Sequence, residues 1–484
     1  MLPPVPSLAA YGISPEHGFL PPEQPLETLP DLYYAKWEAI AANLHPLLLS
    51  RRIRLVVDRL PLLSTQHLQT DAEWRRAYVI LVFLLHSYVW GGDRPAERIP
   101  PQLTVPLFQV CERLEVPPVA TYAGVCLWNY KPIFPDEPAD NLGNLACLQT
   151  FTGSLDEQWF YLVSVAIEAQ GAPALPLMLQ AIAAARVGDA RQVTDCLQRF
   201  AEILDGITSL LQRLYEQCDP HVFYHRIRPY LAGSKNMSEA GLPHGLLYDD
   251  GTHPPEHRQY GGGSNAQSSL IQFFDIALGV EHRPTGVTRD DQKKAAAAAS
   301  SPETSKPRHG FIHEMREYMP GPHRRFLQDV EAVANIRAFV DARRTDAGLR
   351  IAYEACLSML RNMRDKHIQI VSRYIIVQSR GAHQAPQPGL RPTAMNLATV
   401  VPKDSKKLRG TGGTALIPFL KQARDETGEP AIDAWARRLL SNTPGALDSA
   451  SLSKVGEQPD GHLKVVGLCG TWTADDSEGG ICHW

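Results

Sequence analysis

Several signals that would settle a protein class at once are missing from this sequence. Its eight cysteines (Cys111, Cys126, Cys147, Cys196, Cys218, Cys356, Cys469 and Cys482) are scattered, with no CxxC among them. That excludes a clustered thiolate metal site and fits the reduced thiols of a cytoplasmic protein better than a disulfide framework. Neither sign of charge dominates: 48 basic against 52 acidic residues leave a net charge of −4. Such a balance argues against a nucleic-acid-binding or membrane-adsorbing surface. The amino-terminal stretch MLPPVPSLAAYGISPEHGF has prolines where a secretory signal needs a basic start and an apolar centre. The most apolar run, Ala77–Trp90, is short of the roughly 18 residues that span a bilayer, and is expected to be a buried core helix. Period-two alternation is almost confined to short runs such as Leu463–Val466, and no internal repeat is visible.

What remains is helical. With 484 residues, 44% of them hydrophobic and 21% charged, the chain has a soluble globular composition and is too long for one ordinary core. The pattern predicts an all-α fold: a small helical domain at 1–150, a large helical domain at 151–443 and a tail of little order at 444–484. Helices are expected at Leu32–Leu49, Arg51–Leu60, Asp71–Trp90 with Asp71 as N-cap, Val105–Leu114 and Ala120–Trp128. In the larger part they are expected at Ser154–Ala169, opened by a Ser154/Glu157 capping box, at Ala190–Cys218 and at Ser268–Leu278. Residues 284–309, with the run AAAAASSPETSKP, and the proline- and lysine-rich 380–409 read as variable loops.

The centre of the pattern is the helix from Ala347 to about Gln378. Ala352, Cys356, Met359/Leu360, Met363, Ile370/Val371 and Tyr374 recur at helical spacing and place His367 in an apolar seam. Arg361, Arg364, Lys366 and Arg373 lie opposite, on a solvated or anion-facing side. A histidine there is either a satisfied core residue or an axial metal ligand with a second-shell acceptor on its other nitrogen; periodicity does not separate the two. Arg228, between Phe223-Tyr224 and Tyr230-Leu231, suits either a bidentate grip on a carboxylate or stacking on tyrosine at the surface. The loops Gly261-Gly262-Gly263-Ser264 and Gly410–Thr414 each enter a helix. They match neither a dinucleotide fingerprint nor a P-loop, but allow close backbone approach to a ligand. His309/His313 and His221/His225 stand four apart without a third ligand or HExxH, and read as surface histidines.

Taken together, RDKHIQIVSRYI around His367, YGGGSNAQSSLIQFFDIALG at 260–279 and FYHRIRPYLAGSKN at 223–236 resemble the indoleamine 2,3-dioxygenases. So do FYLVSVAIE, EYMPGPHRRFL, AGLRIAYEAC, GTGGT, YGISPEHGFLP, HSYVWGG and LEVPPVATYA, in the same order over roughly residues 10–430. The resemblance implies an all-helical protein holding haem b, with His367 as proximal iron ligand and dioxygen taken on the opposite face. It implies insertion of both oxygen atoms across the indole C2–C3 bond of L-tryptophan, giving N-formylkynurenine. Carried over by motif, Tyr122, Val125, Phe160, Tyr161, Ser164, Phe223 and Leu231 line the substrate pocket, and Arg228 binds the carboxylate. Gly263 and Ser264 lie over the haem edge, Thr411 belongs to a closing loop, and Arg364 pairs with a propionate. Asn265 stands where animal-type members carry a small apolar residue, which with Tyr161 leaves two alternatives open. These are a dioxygenase for another indole metabolite, and a haem-binding protein with little turnover. The expected partners are the indole and O2, with no nucleic acid or membrane, and the expected state is a monomer.

Overall fold

The computed structural model describes residues 3–252, 254–287, 310–381, 411 and 416–441, with the strands 464–467 and 470–473. Helices dominate. The strands are two to four residues long: Arg98–Ile99 runs parallel to Leu246–Tyr248, which pairs antiparallel with Glu256–Arg258. Tyr130–Pro132 pairs with Leu145–Cys147. The fold is all-α, as the periodicity predicts. The expected tail does contain a hairpin, Lys464–Gly467 against Gly470–Thr473, on the run that alternates with period two. Buried apolar residues on both sides of position 150 join in one cluster from Leu8 to Leu440.

Helix α1, Asp71–Trp90, is the axis of the amino-terminal part, and every residue from Arg76 to Trp90 is buried. A helix apolar all round belongs inside a core. Its cap is Thr70, not Asp71: the Thr70 hydroxyl accepts from Glu73 N–H (3.2 Å) while Glu73 accepts from Gln69 N–H (2.9 Å), a capping box one residue earlier than expected. Helix α2, Leu155–Gly171, starts on Ser154, which accepts from Glu157 N–H. The Glu157 carboxylate turns inward to Phe151 N–H (2.8 Å) and Thr152 N–H (2.7 Å). Helix α3, Ala174–Val187, is not anticipated by periodicity, because Ala and Leu surround it and leave no stripe; Gly188, at φ 83°, ends it. The run Leu155–Val187 is long and apolar enough by composition to cross a bilayer, and here folds back as two helices largely buried in the core.

Helix α4, Ala190–Gln212, buries an apolar stripe of Val193, Leu197, Phe200, Leu204 and Ile207 and lies along the site helix. Helix α5, Ser269–Leu278, is capped by Ser268. The site helix α6, Ala347–Val371, is capped by Asp346 and widens into a π-helical turn at Ser372–Val377. Its predicted apolar seam is buried, with Met359 half-buried. The opposite face departs from expectation. Arg361 is buried, donates to the Leu440 carbonyl and pairs with Asp365 (3.1 Å), because helices α7, Leu416–Gly428, and Ala434–Ser441 cover that side.

Candidate functional site

His367 sits deep in α6 yet keeps part of its surface uncovered by protein. Burial first, and the Arg364 charge second, push its pKa down to about 4, so the imidazole is neutral near pH 7. Among the described residues neither ring nitrogen has a hydrogen-bond partner, and the second-shell acceptor expected for a ligating histidine is not seen. A neutral, unbonded, partly uncovered imidazole has a lone pair to give, and this donor fits a haem iron.

Arg364 faces a carboxylate of the protein itself. One turn before His367, its Nη2 donates to both Asp275 oxygens (2.7 Å each) and its Nη1 to the Thr427 hydroxyl. The guanidinium thereby links α5 to α7. His282 joins the cluster, with Nε2 on Asp275 (3.0 Å) and Nδ1 on Glu426 (2.7 Å). Burial raises the Asp275 pKa, but Arg364 and His282 outweigh it and hold the carboxyl below its ordinary value. Burial likewise opposes the His282 charge, and Asp275 with Glu426 overcomes it, so that pKa is raised.

On the other side five segments converge. The first is a π-helical turn, Ala123–Leu127, carrying Val125 just after Tyr122. The second is α2 with Phe160 and Ser164, four apart and on one face. A second π turn, Phe223–Ile227, leads into the short helix Arg228–Leu231. Phe160 and Phe223 meet with centroids 4.6 Å apart, and Phe223 meets Tyr374, on the continuation of the His367 helix, at 5.7 Å. Leu231 is buried.

The fourth segment is the glycine strap 261–263, which crosses 231–233 in backbone contact. A Cβ on Gly262 would lie 2.0 Å from the Leu231 carbonyl oxygen, and one on Gly233 would lie 2.2 Å from that of Tyr260; only glycine allows the crossing. On Gly263 a Cβ would stand 3.2 Å from the Ala120 carbonyl oxygen and 3.8 Å from Val125. Thr411, the fifth segment, clips the strap: Gly262 N–H donates to its carbonyl (3.0 Å) and its hydroxyl to the Gly263 carbonyl (2.7 Å). Ser264 caps the following turn by accepting from Ala266 N–H (3.3 Å), and Asn265 is exposed.

Arg228 is no surface residue. It is half-buried, with its guanidinium carbon 5.5 Å from the Tyr224 ring centroid; burial lowers its pKa and Tyr224 partly offsets this. Tyr161, expected in the pocket, packs beside Phe160 with ring centroids 5.8 Å apart. It is fully buried and donates to Glu157 Oε1 (2.9 Å).

Sequence reasoning missed the groups that brace this wall. Tyr122 N–H donates to Gln267 Oε1 (2.8 Å), and Gln267 Nε2 donates to the Gly262 carbonyl (2.9 Å). The hydroxyls of Tyr122 (3.0 Å) and Ser268 (2.6 Å) both donate to Glu168 Oε1. Burial pushes the Glu168 carboxyl up to about 7. Glu168 and His86 were findable as lone titratable residues inside apolar runs; Gln267 gave no signal. Outside the wall, His221 and His225 stack at 4.3 Å with no third ligand among the described residues, and His309 lies outside the described residues. An open groove of about 600 Å³ lined by Glu115, Arg258 and Tyr318 lies behind the strap, where the Tyr318 hydroxyl accepts from Gly261 N–H (2.8 Å). It does not reach His367.

Comparison with known proteins converges on one family. The indoleamine 2,3-dioxygenase family profile matches residues 7–430. The chain is similar to the indoleamine 2,3-dioxygenase of Saccharomyces cerevisiae, 42% identical over 439 residues, covering 88% of this chain and 93% of that one. It is 38% identical over 419 residues to a 6-hydroxytryptophan 2,3-dioxygenase of Fusarium equiseti (87% and 96% covered). It is 33% identical over 431 residues to human indoleamine 2,3-dioxygenase 2 (88% and 96% covered).

Proposed function

We propose, from the premise that this chain belongs to the indoleamine 2,3-dioxygenase family, that it converts L-tryptophan to N-formylkynurenine by inserting both atoms of O2 across the indole C2–C3 bond. Membership makes it a haem-dependent oxidoreductase acting on an indole with O2. Bound haem supplies the metal that activates dioxygen. His367 is the residue placed to hold haem b, through a lone pair kept free by burial.

The observation that carries the tryptophan reading is the pairing of a half-buried guanidinium, Arg228, with the Phe160–Phe223 aromatic contact in adjoining segments. Arg228 offers a fork that matches a carboxylate. Phe160, Phe223 and Val125 offer apolar surface to the indole, and the strap, clipped by Thr411, lies against Val125. Tyr122 and Glu168 are bonded to each other, and this pair braces the wall that orients the substrate. The indole is electron-rich enough to react without losing a proton first.

A second reading has one observation in its favour. Tyr122, Ser164 and Glu168 make a polar patch behind the aromatic pair, which suits a ring hydroxyl, as in the substrate named for the Fusarium relative. The test is anaerobic reduction of the haem-loaded protein, then O2 with L-tryptophan or a hydroxytryptophan. Growth of the N-formylkynurenine absorbance supports the first reading, and turnover of the hydroxylated indole alone supports the second. A stable oxygen adduct with neither substrate consumed refutes both.

A further inference from the structure

His86 has no part in the chemistry above, yet it touches both halves of the substrate wall. It projects from α1, buried, in the middle of VFLLHSYVW. Its Nδ1 lies 2.6 Å from the Tyr230 carbonyl oxygen, and its Nε2 lies 2.9 Å from the Ala120 N–H. The partners fix the tautomer. A carbonyl only accepts, so Nδ1 carries the hydrogen; a backbone N–H only donates, so Nε2 presents its lone pair. Tyr230 is two residues from Arg228, and Ala120 is two residues from Tyr122.

We propose that His86 is a positioning residue that sets the spacing between the Arg228 arm and the Tyr122–Val125 wall, and thereby the fit of an indole carrying a carboxylate. This rests on the reading that Arg228 binds that carboxylate. The surroundings make the imidazole the sole bridge of its kind on α1 among the described contacts. Trp90, one turn on, donates only to the Ala232 carbonyl (3.0 Å). Tyr78 bonds only to the other segment, at the Val119 carbonyl (2.7 Å) and Thr121 (3.0 Å). The Tyr230 ring stacks on Phe151 at 5.0 Å and Phe151 on Phe83 at 4.3 Å, so the arm is already pressed against α1. What the stack leaves open is sliding along it, and the rigid ring with one hydrogen bond at each end removes that freedom. The same Ala120 meets the strap at Gly263, so the Ala120 bond also seats the strap.

The experiment compares His86→Met, of similar volume and with neither hydrogen bond, with Arg228→Ala and the double variant, each haem-loaded. The expected result for His86→Met is a three- to tenfold higher KM for L-tryptophan, a kcat within about twofold, and little change in KM for tryptamine, which lacks the carboxylate. In the double variant, His86→Met should add nothing to the Arg228→Ala effect on tryptophan. Equal losses for tryptophan and tryptamine, or additive losses in the double variant, overturn the proposal and leave His86 a packing residue. If Arg228→Ala does not discriminate the two substrates, the carboxylate reading fails instead. Should His86→Met not fold, ¹⁵N-histidine spectra of the unaltered protein decide. A neutral Nδ1–H tautomer is expected at pH 7, and the Nε2–H tautomer or an imidazolium there overturns the proposal.

Discussion

Asp275→Ala removes the one carboxylate shared by Arg364 and His282. In the folded protein Asp275 is 4% exposed and accepts two bonds of 2.7 Å from Arg364 and one of 3.0 Å from His282. Taking it away leaves a guanidinium and a histidine facing each other inside the protein, with Glu426 compensating His282 alone. Breaking a buried pair in this way costs about 3–5 kcal/mol. At about 2–4 °C per kcal/mol for a large domain, the expected loss in midpoint is roughly 6–20 °C. The pH dependence carries a sign. His282 has a raised pKa, so its contribution is fully present below the ordinary histidine value of 6.5 and is lost as pH rises through the raised value. Asp275 has a lowered pKa, so its contribution is present above the ordinary value of 3.8 and is lost as pH falls through the lowered one. The deficit of the variant should therefore be largest near pH 5–6 and shrink toward pH 9. Urea unfolding of both proteins across that range, followed by tryptophan fluorescence, reads it directly. A deficit under about 1 kcal/mol, or one independent of pH, would refute the account of the cluster.

Arg228→Ala should raise the tryptophan KM by one to two decades, as expected for about 1.5–3 kcal/mol of charge-assisted bonding lost, and should move tryptamine far less; steady-state kinetics with both substrates checks this. His367→Ala should largely abolish haem retention, and a full Soret band with an unchanged ferrous–CO spectrum in the purified variant would place the ligand elsewhere. His86 and His323 have pKa values pushed down to about 4 and about 3 by burial, with Arg75 adding to the latter. The unfolded chain therefore binds more protons below the ordinary value of 6.5, and stability should fall as pH drops from there toward 4. The loss is on the order of 3 kcal/mol for His86. Acid unfolding of His86→Met should be less steep over that window, and an unchanged slope would show that His86 is not buried neutral.

The parts of the fold legible in the sequence are those where one element sees one environment. The α4 stripe and the seam holding His367 are amphipathic, and their period alone gave the buried face. Helix α3 was illegible because both its sides are apolar. Arg361 was misread for a related reason: a charge opposite a greasy stripe predicts water only when no later segment covers it, and α7 with Ala434–Ser441 does. Glu168 and His86 were visible as lone titratable residues in apolar runs, but their partners come from segments 34 to 144 residues distant, a pairing no local pattern encodes.

Three of the segments around this site, at Ala123–Leu127, Phe223–Ile227 and Ser372–Val377, are π-helical turns. Each contains one residue more than an α-helix of the same rise requires. Past such a turn every following side chain is rotated by about 100° from where an unbroken α-helix would aim it. Length, as well as residue type, is thus part of what specifies the wall. Deleting a single residue from the Phe223 turn would let that stretch close into ordinary helix and swing Arg228 away from the aromatic pair, with every pocket residue still in the chain. Among homologous chains, a one-residue gap in these three places would therefore mark altered substrate use more sharply than most substitutions between them.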